Sequence, residues 1–83
     1  MAQQYNPQNI KKRYSVLIFL KGSTAPLVLY VENPEELYAE LQQAAKSATP
    51  KFIEKETTGP LKKVSFISNQ IAAIAIQEEQ YAG

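Results

Sequence analysis

Three groupings of side chains in this 83-residue chain have the types and spacing to do chemistry. Glu35 and Glu36 are adjacent, and Glu54 and Glu56 are two apart. Cations cluster as Lys11-Lys12-Arg13 beside Tyr14, and again as Lys62-Lys63. A carboxylate pair does acid–base work only when both groups face one cleft. Glu35 and Glu36 instead open a helical pattern, where they suit capping and the positive end of the helix dipole. Glu54 and Glu56 share one face of "KFIEKE", a segment charged at four of six positions, which reads as a solvated sheet edge. A basic stripe with an aromatic can hold single-stranded nucleic acid through phosphate contacts and base stacking. Lys11, Lys12, Arg13, Lys62 and Lys63 are the candidate contacts for that function.

Composition narrows the rest. The chain has no His, Cys or Trp, and all eight acidic residues are Glu. Ser-His-Asp and Cys-His nucleophilic sites and the usual zinc sites are therefore excluded. Gly22, Gly59 and Gly83 cannot build a phosphate-binding loop. The reading is a non-enzyme, with no catalytic residues, no cofactor and no metal. Net charge is +1, too small to call for a polyanion, although residues 1–31 hold four cations and no acid while residues 32–48 hold four glutamates and one lysine. The opening "MAQQYNPQNIKKRY" lacks the apolar core of a signal peptide, and no apolar run is long enough to span a membrane. These features predict a cytoplasmic protein with no membrane partner.

The elements that would position these residues follow from local pattern. Residues 1–13 are polar and read as a flexible arm, 14–79 as a single domain and 80–83 as a tail. Tyr14–Leu20, "YSVLIFL", is apolar throughout after Ser15 and reads as a central strand. "KGSTAP" is a turn in which Gly22 permits positive φ, and Leu27–Val31 is the second strand. Asn33-Pro34-Glu35-Glu36 is a capping-box start with Pro at the first helical position. Leu37, Leu41, Ala44, Ala45 and Ala48 then share one helix face, and Pro50 stops the helix. Lys51–Glu56, Lys63–Ser68 and Ile71–Glu78 complete the strands, with Asn69-Gln70 as a tight hairpin connection.

The order β-β-α-β-β-β and the centrality of the two most apolar strands predict an α+β fold. It has one five-stranded, mainly antiparallel sheet in the order 2-1-5-4-3, with a single helix on one face. In that order the cations at the starts of the first and fourth strands flank Glu78 and Glu79, and cross-strand pairing would cancel most of their field.

The sheet raises a further question, because its central strands are apolar on both faces. Leu17, Phe19, Val28, Tyr30, Ala73 and Ala75 fall on one set of alternating positions, and one helix covers one face only. Three arrangements would cover the second face: a sheet that curls over itself, the N-terminal arm laid across it through Met1, Tyr5 and Ile10, or a second chain. The reading favoured is a small protein–protein interaction module, a homodimer through those six residues. Single-stranded nucleic-acid binding is the alternative.

The stretches "FLKGSTAPLVLYV", "NPEELYAELQQAAKSATP" and "KKVSFISNQIAAIAIQEE" resemble a family of small uncharacterised cyanobacterial proteins. The likeness covers about residues 14–79 and lies in packing motifs. It implies the same hairpin–helix–three-strand architecture and a bacterial cytoplasm, and it brings no activity or site residues.

Overall fold

The apolar run from Tyr14 lies inside a longer strand, β1 (Ile10–Leu20), in a computed structural model that describes residues 10–82, with side chains from 11 to 81. β2 (Leu27–Val31) returns antiparallel along Tyr14–Ile18. The turn between them has Gly22 at φ 79°, and no other described residue has positive φ. After α1 (Pro34–Lys46) come β3 (Phe52–Glu56), β4 (Lys63–Ile67), a 3-10 turn at Ser68–Gln70, and β5 (Ile71–Ala82).

The class is α+β with one helix, and the order 2-1-5 of the first sheet matches the expectation. The single five-stranded sheet does not form: β3 and β4 pair only with each other, as a separate two-stranded sheet. The break lies at Asn69-Gln70. A two-residue hairpin turn needs positive φ, and neither residue adopts it. Ser68 is buried and locked to the start of β3: its N–H donates to the Lys51 carbonyl and its Oγ accepts the Lys51 N–H, both at 2.8 Å. Two residues on, the Gln70 carbonyl accepts the Lys21 N–H at 2.8 Å and starts the pairing of β5 with β1. The chain thus changes sheet across three residues.

β1 and β5 remain paired beyond the end of β2. Lys11 lies opposite Tyr81 and Arg13 opposite Glu79, so part of the expected arm and tail is strand. The remaining arm positions, with Met1 and Tyr5, lie outside the described residues, as does Gly83.

Local chemistry sets the helix ends. Asn33 Oδ1 accepts the Glu36 N–H at 3.4 Å, and the Asn33 side-chain amide returns a bond to Glu36 Oε2 at 3.4 Å. The helix ends at Lys46, before Pro50 can act. Ser47 Oγ accepts the Thr49 N–H at 3.3 Å and donates to the Thr49 carbonyl at 3.1 Å, which turns the backbone extended. The buried stripe is therefore Leu37, Leu41 and Ala44, while Ala45 is exposed and Ala48 lies past the helix. No described helix is long and apolar enough to cross a membrane.

The core has one side. Val16, Ile18 and Leu29 are fully buried on one face of the three-stranded sheet, against Leu37, Leu41 and Ala44 of α1 and Ile53 and Phe66 of the β3–β4 hairpin. Helix and hairpin share that face. Burial of each large aliphatic side chain there contributes roughly 1.5–3 kcal/mol. Ser15 is the exception to the alternation: it is fully buried on the other face, and its Oγ has no partner among the described residues. Urea unfolding will show Leu41→Ala destabilised by about 2–5 kcal/mol. Ser15→Ala, which removes only an unpaired hydroxyl, will be neutral or stabilising; a loss like that of Leu41→Ala would mean the hydroxyl is bonded.

Candidate interaction face

Opposite the core, the register brings the six predicted interface residues onto one face. Leu17 lies between Val28 and Ala75 across the neighbouring strands, Phe19 lies opposite Ala73, and Tyr30 lies opposite Ser15. Leu17, Val28, Tyr30 and Ala75 are half-buried, Ala73 is exposed, and Phe19 keeps 38% of its surface open. The loop between β3 and β4 was not anticipated here. Pro60 and Leu61 line a hollow with Pro26, Val28 and Tyr30, and Leu61 is also 38% open. The loop is held by the Thr57 hydroxyl donating to the Leu61 carbonyl, and by the Thr58 hydroxyl donating to the Tyr30 carbonyl at 3.4 Å. Gly59 lies so close to the Tyr30 ring that a Cβ there would overlap it.

One end of the face is polar. Arg13 donates from Nε and a terminal nitrogen to Glu79 Oε1, at 3.2 and 3.1 Å, and Tyr30 donates its hydroxyl to Glu79 Oε2 at 2.9 Å. The guanidinium carbon lies 4.4 Å from the Tyr30 ring centre and 5.7 Å from that of Tyr81. The Tyr30 hydroxyl first, and then Arg13, hold the Glu79 carboxyl below the usual carboxylate range. The same Tyr30 bond raises the Tyr30 pKa, because ionisation would destroy it. The bond to Glu79 likewise raises that of Arg13. Without the strand register, the sequence offers no signal for a Tyr30–Glu79 bond.

The five candidate nucleic-acid contacts do not form a common rim. Arg13 is bound to Glu79, and Lys12 approaches Glu78 at 4.0 Å, as cross-strand pairing predicts. Lys63 instead meets Glu54 and Glu56, at 3.4 and 3.7 Å, because β4 pairs with β3 and not with β5. Lys11 and Lys62 are exposed and belong to no ion pair among the described residues. The carboxylate pairs also lack a cleft. Glu36 caps the helix, and Glu54 and Glu56 share the exposed Lys63. Among the described residues no acidic group gathers to hold a metal ion. The hairpin's outer side carries one apolar pair, Phe52 opposite Ile67, 69% and 46% exposed.

Comparison with protein-family models, with characterised proteins and with solved structures finds no match to this chain.

The Glu79 cluster has a pH signature. A carboxyl whose pKa is lower folded than unfolded stabilises the fold above its unfolded pKa, about 4.3 for Glu. That contribution is lost as pH falls through the lower folded value. Urea titrations from neutral to acidic pH will therefore show wild type more stable than Glu79→Gln at pH 7, with the gap closing below about pH 4. A gap constant across pH would contradict the assignment.

Proposed function

We propose that the protein is a small non-enzymatic interaction module of the cytoplasm, working through the apolar sheet face of Leu17, Phe19, Val28, Tyr30, Ala73 and Ala75. Its favoured partner on that face is a second copy. The observation that carries this reading is the openness of Phe19 beside Leu17, Ala73 and Ala75, at the apolar end of that face. Contiguous apolar surface of this kind usually marks an interface. Ala73 and Ala75 present little relief, which suits a second sheet packing at about 10 Å. The core argues in the same direction. A domain of this size buries a small share of its chain surface, and association is a common source of added stability. Here helix and hairpin both lie on one side, and among the described residues the other side has only the Pro60–Leu61 loop over part of β2. Nucleic-acid binding gains no comparable support, since Lys12, Arg13 and Lys63 are already paired with glutamates.

Sedimentation velocity over a range of concentrations tests the reading. Wild type will show a monomer–dimer equilibrium. Phe19→Glu, which would bury an unpaired charge in the contact, will weaken it by roughly a hundredfold or more. A wild-type monomer at every concentration, or an equilibrium unmoved by Phe19→Glu, removes the face as a self-association surface.

A further inference from the structure

The sheet has a second unsatisfied feature, its β5 edge. β5 runs for 12 residues and pairs only with β1 among the described residues. The opposite edge of the same sheet is guarded: Thr58 donates both its N–H, at 3.5 Å, and its hydroxyl to the Tyr30 carbonyl of β2. β3 is short and carries Glu54, Lys55 and Glu56. β5 has neither a covering loop nor short length: it contains no Pro, Gly or Lys, and Ile71–Ile76 bears no charge. A long edge with an uncharged stretch is a template for another strand, and from Ala73 onward β5 pairs with β1 without a break, the one register shift leaving Ala72 out of the ladder.

Residues beside the edge say which strand fits. A groove runs between β5 and α1, with Tyr38, Ala45 and Lys46 of the helix beside Ile71, Ala72 and Ile74. Lys46 makes no ion pair among the described residues. Glu78 lies farther along β5, on the same side of the sheet as Ile74 and Ile76, and is held only by Lys12 at 4.0 Å. A strand carrying an acidic group two residues beyond an uncharged stretch complements this groove when it runs antiparallel. β5 is such a strand.

We infer that β5 pairs antiparallel with β5 of a second copy about a two-fold axis at Ala75, joining two sheets into one of six strands in the order 2-1-5-5-1-2. In this register Ala75 faces its own copy, and Ile74 lies opposite the partner's Ile76 on the helix side. Glu78 falls opposite the partner's Ala72, beside the partner's Lys46, and the two-fold makes this charge pair occur twice. Registers centred on Glu78 or Glu79 set like charges against each other and are disfavoured. The contact closes the open edge. It uses neither Phe19 nor Leu17, so it is separable from the face contact proposed above by substitution at those residues, although Ala75 of that face lies on the two-fold axis.

The test is the dissociation constant of the full chain at low salt, measured by sedimentation equilibrium for wild type, Lys46→Glu, Glu78→Lys and the double reversal. Circular dichroism checks each variant for folding. Each single reversal will weaken the dimer about tenfold or more, and the double reversal will recover most of the loss. Amide hydrogen exchange on folded wild type supplies a second readout, with Ile71–Ile76 more protected at concentrations above the dissociation constant than below it. Single reversals without effect, a double reversal that recovers nothing, or β5 protection independent of concentration would overturn the edge contact. If Phe19→Glu alone abolishes association, the face contact survives and the edge contact fails; if only the charge reversals act, the result is the reverse.

Discussion

The structure depends on one packing constraint: β1 is apolar on both sides, and the described residues supply covering elements for only one. Val16 and Ile18 direct α1 and the β3–β4 hairpin to the same face, where they meet Leu29, Leu41, Ile53 and Phe66. Every large core side chain lies there. Among the described residues the opposite face keeps Leu17, Phe19 and Val28 without a second layer, apart from the loop that reaches Tyr30. That asymmetry is the ground for the proposed interface, since apolar area left open in a small domain is stabilisation not yet used.

Ser68 explains how the hairpin reaches the same side as the helix. Its two bonds to Lys51 keep β4 with β3, while Gln70, two residues on, is already bonded to Lys21 in the first sheet. Had β4 continued directly into a hairpin with β5, all five strands would lie in one layer, and the helix alone would cover the core. The split frees the β5 edge that a joined sheet would have occupied with β4. The open edge and the doubly covered core therefore share one cause.

Local features were legible in the sequence and relational ones were not. Asn33-Pro34-Glu35-Glu36 declared the helix start because its bonds span four residues, and the structure forms them. The alternation sorted the residues of β1 and β2 into two sets correctly, because a strand's period does not depend on its partners; on β5 it fails at Ile71, which a register shift at Ala72 moves to the core side with Ile74 and Ile76. Which set faces the helix was not legible, since both are apolar. Asn69-Gln70 misled because the decisive bonds are made by its neighbour Ser68 to Lys51, 17 residues away in sequence, and by Gln70 to Lys21, farther still. The Ser47 side chain ended α1 earlier than Pro50 would have. Tyr30 and Glu79 meet only because both pair with β1 in a particular register. The hidden Ser15 hydroxyl likewise follows from tertiary packing that no local pattern reports.

The central claim is that the two faces of the three-stranded sheet differ in kind, one a finished core and the other a contact surface. Methyl-resolved nuclear magnetic resonance on a dilution series addresses both at once. Leu17 and Val28 report the open face, and Val16, Ile18 and Leu29 the core, within a single sample. The Leu17 and Val28 methyl signals will shift with protein concentration while those of Val16, Ile18 and Leu29 stay fixed. Signals from both sets that remain unchanged across the series would contradict it.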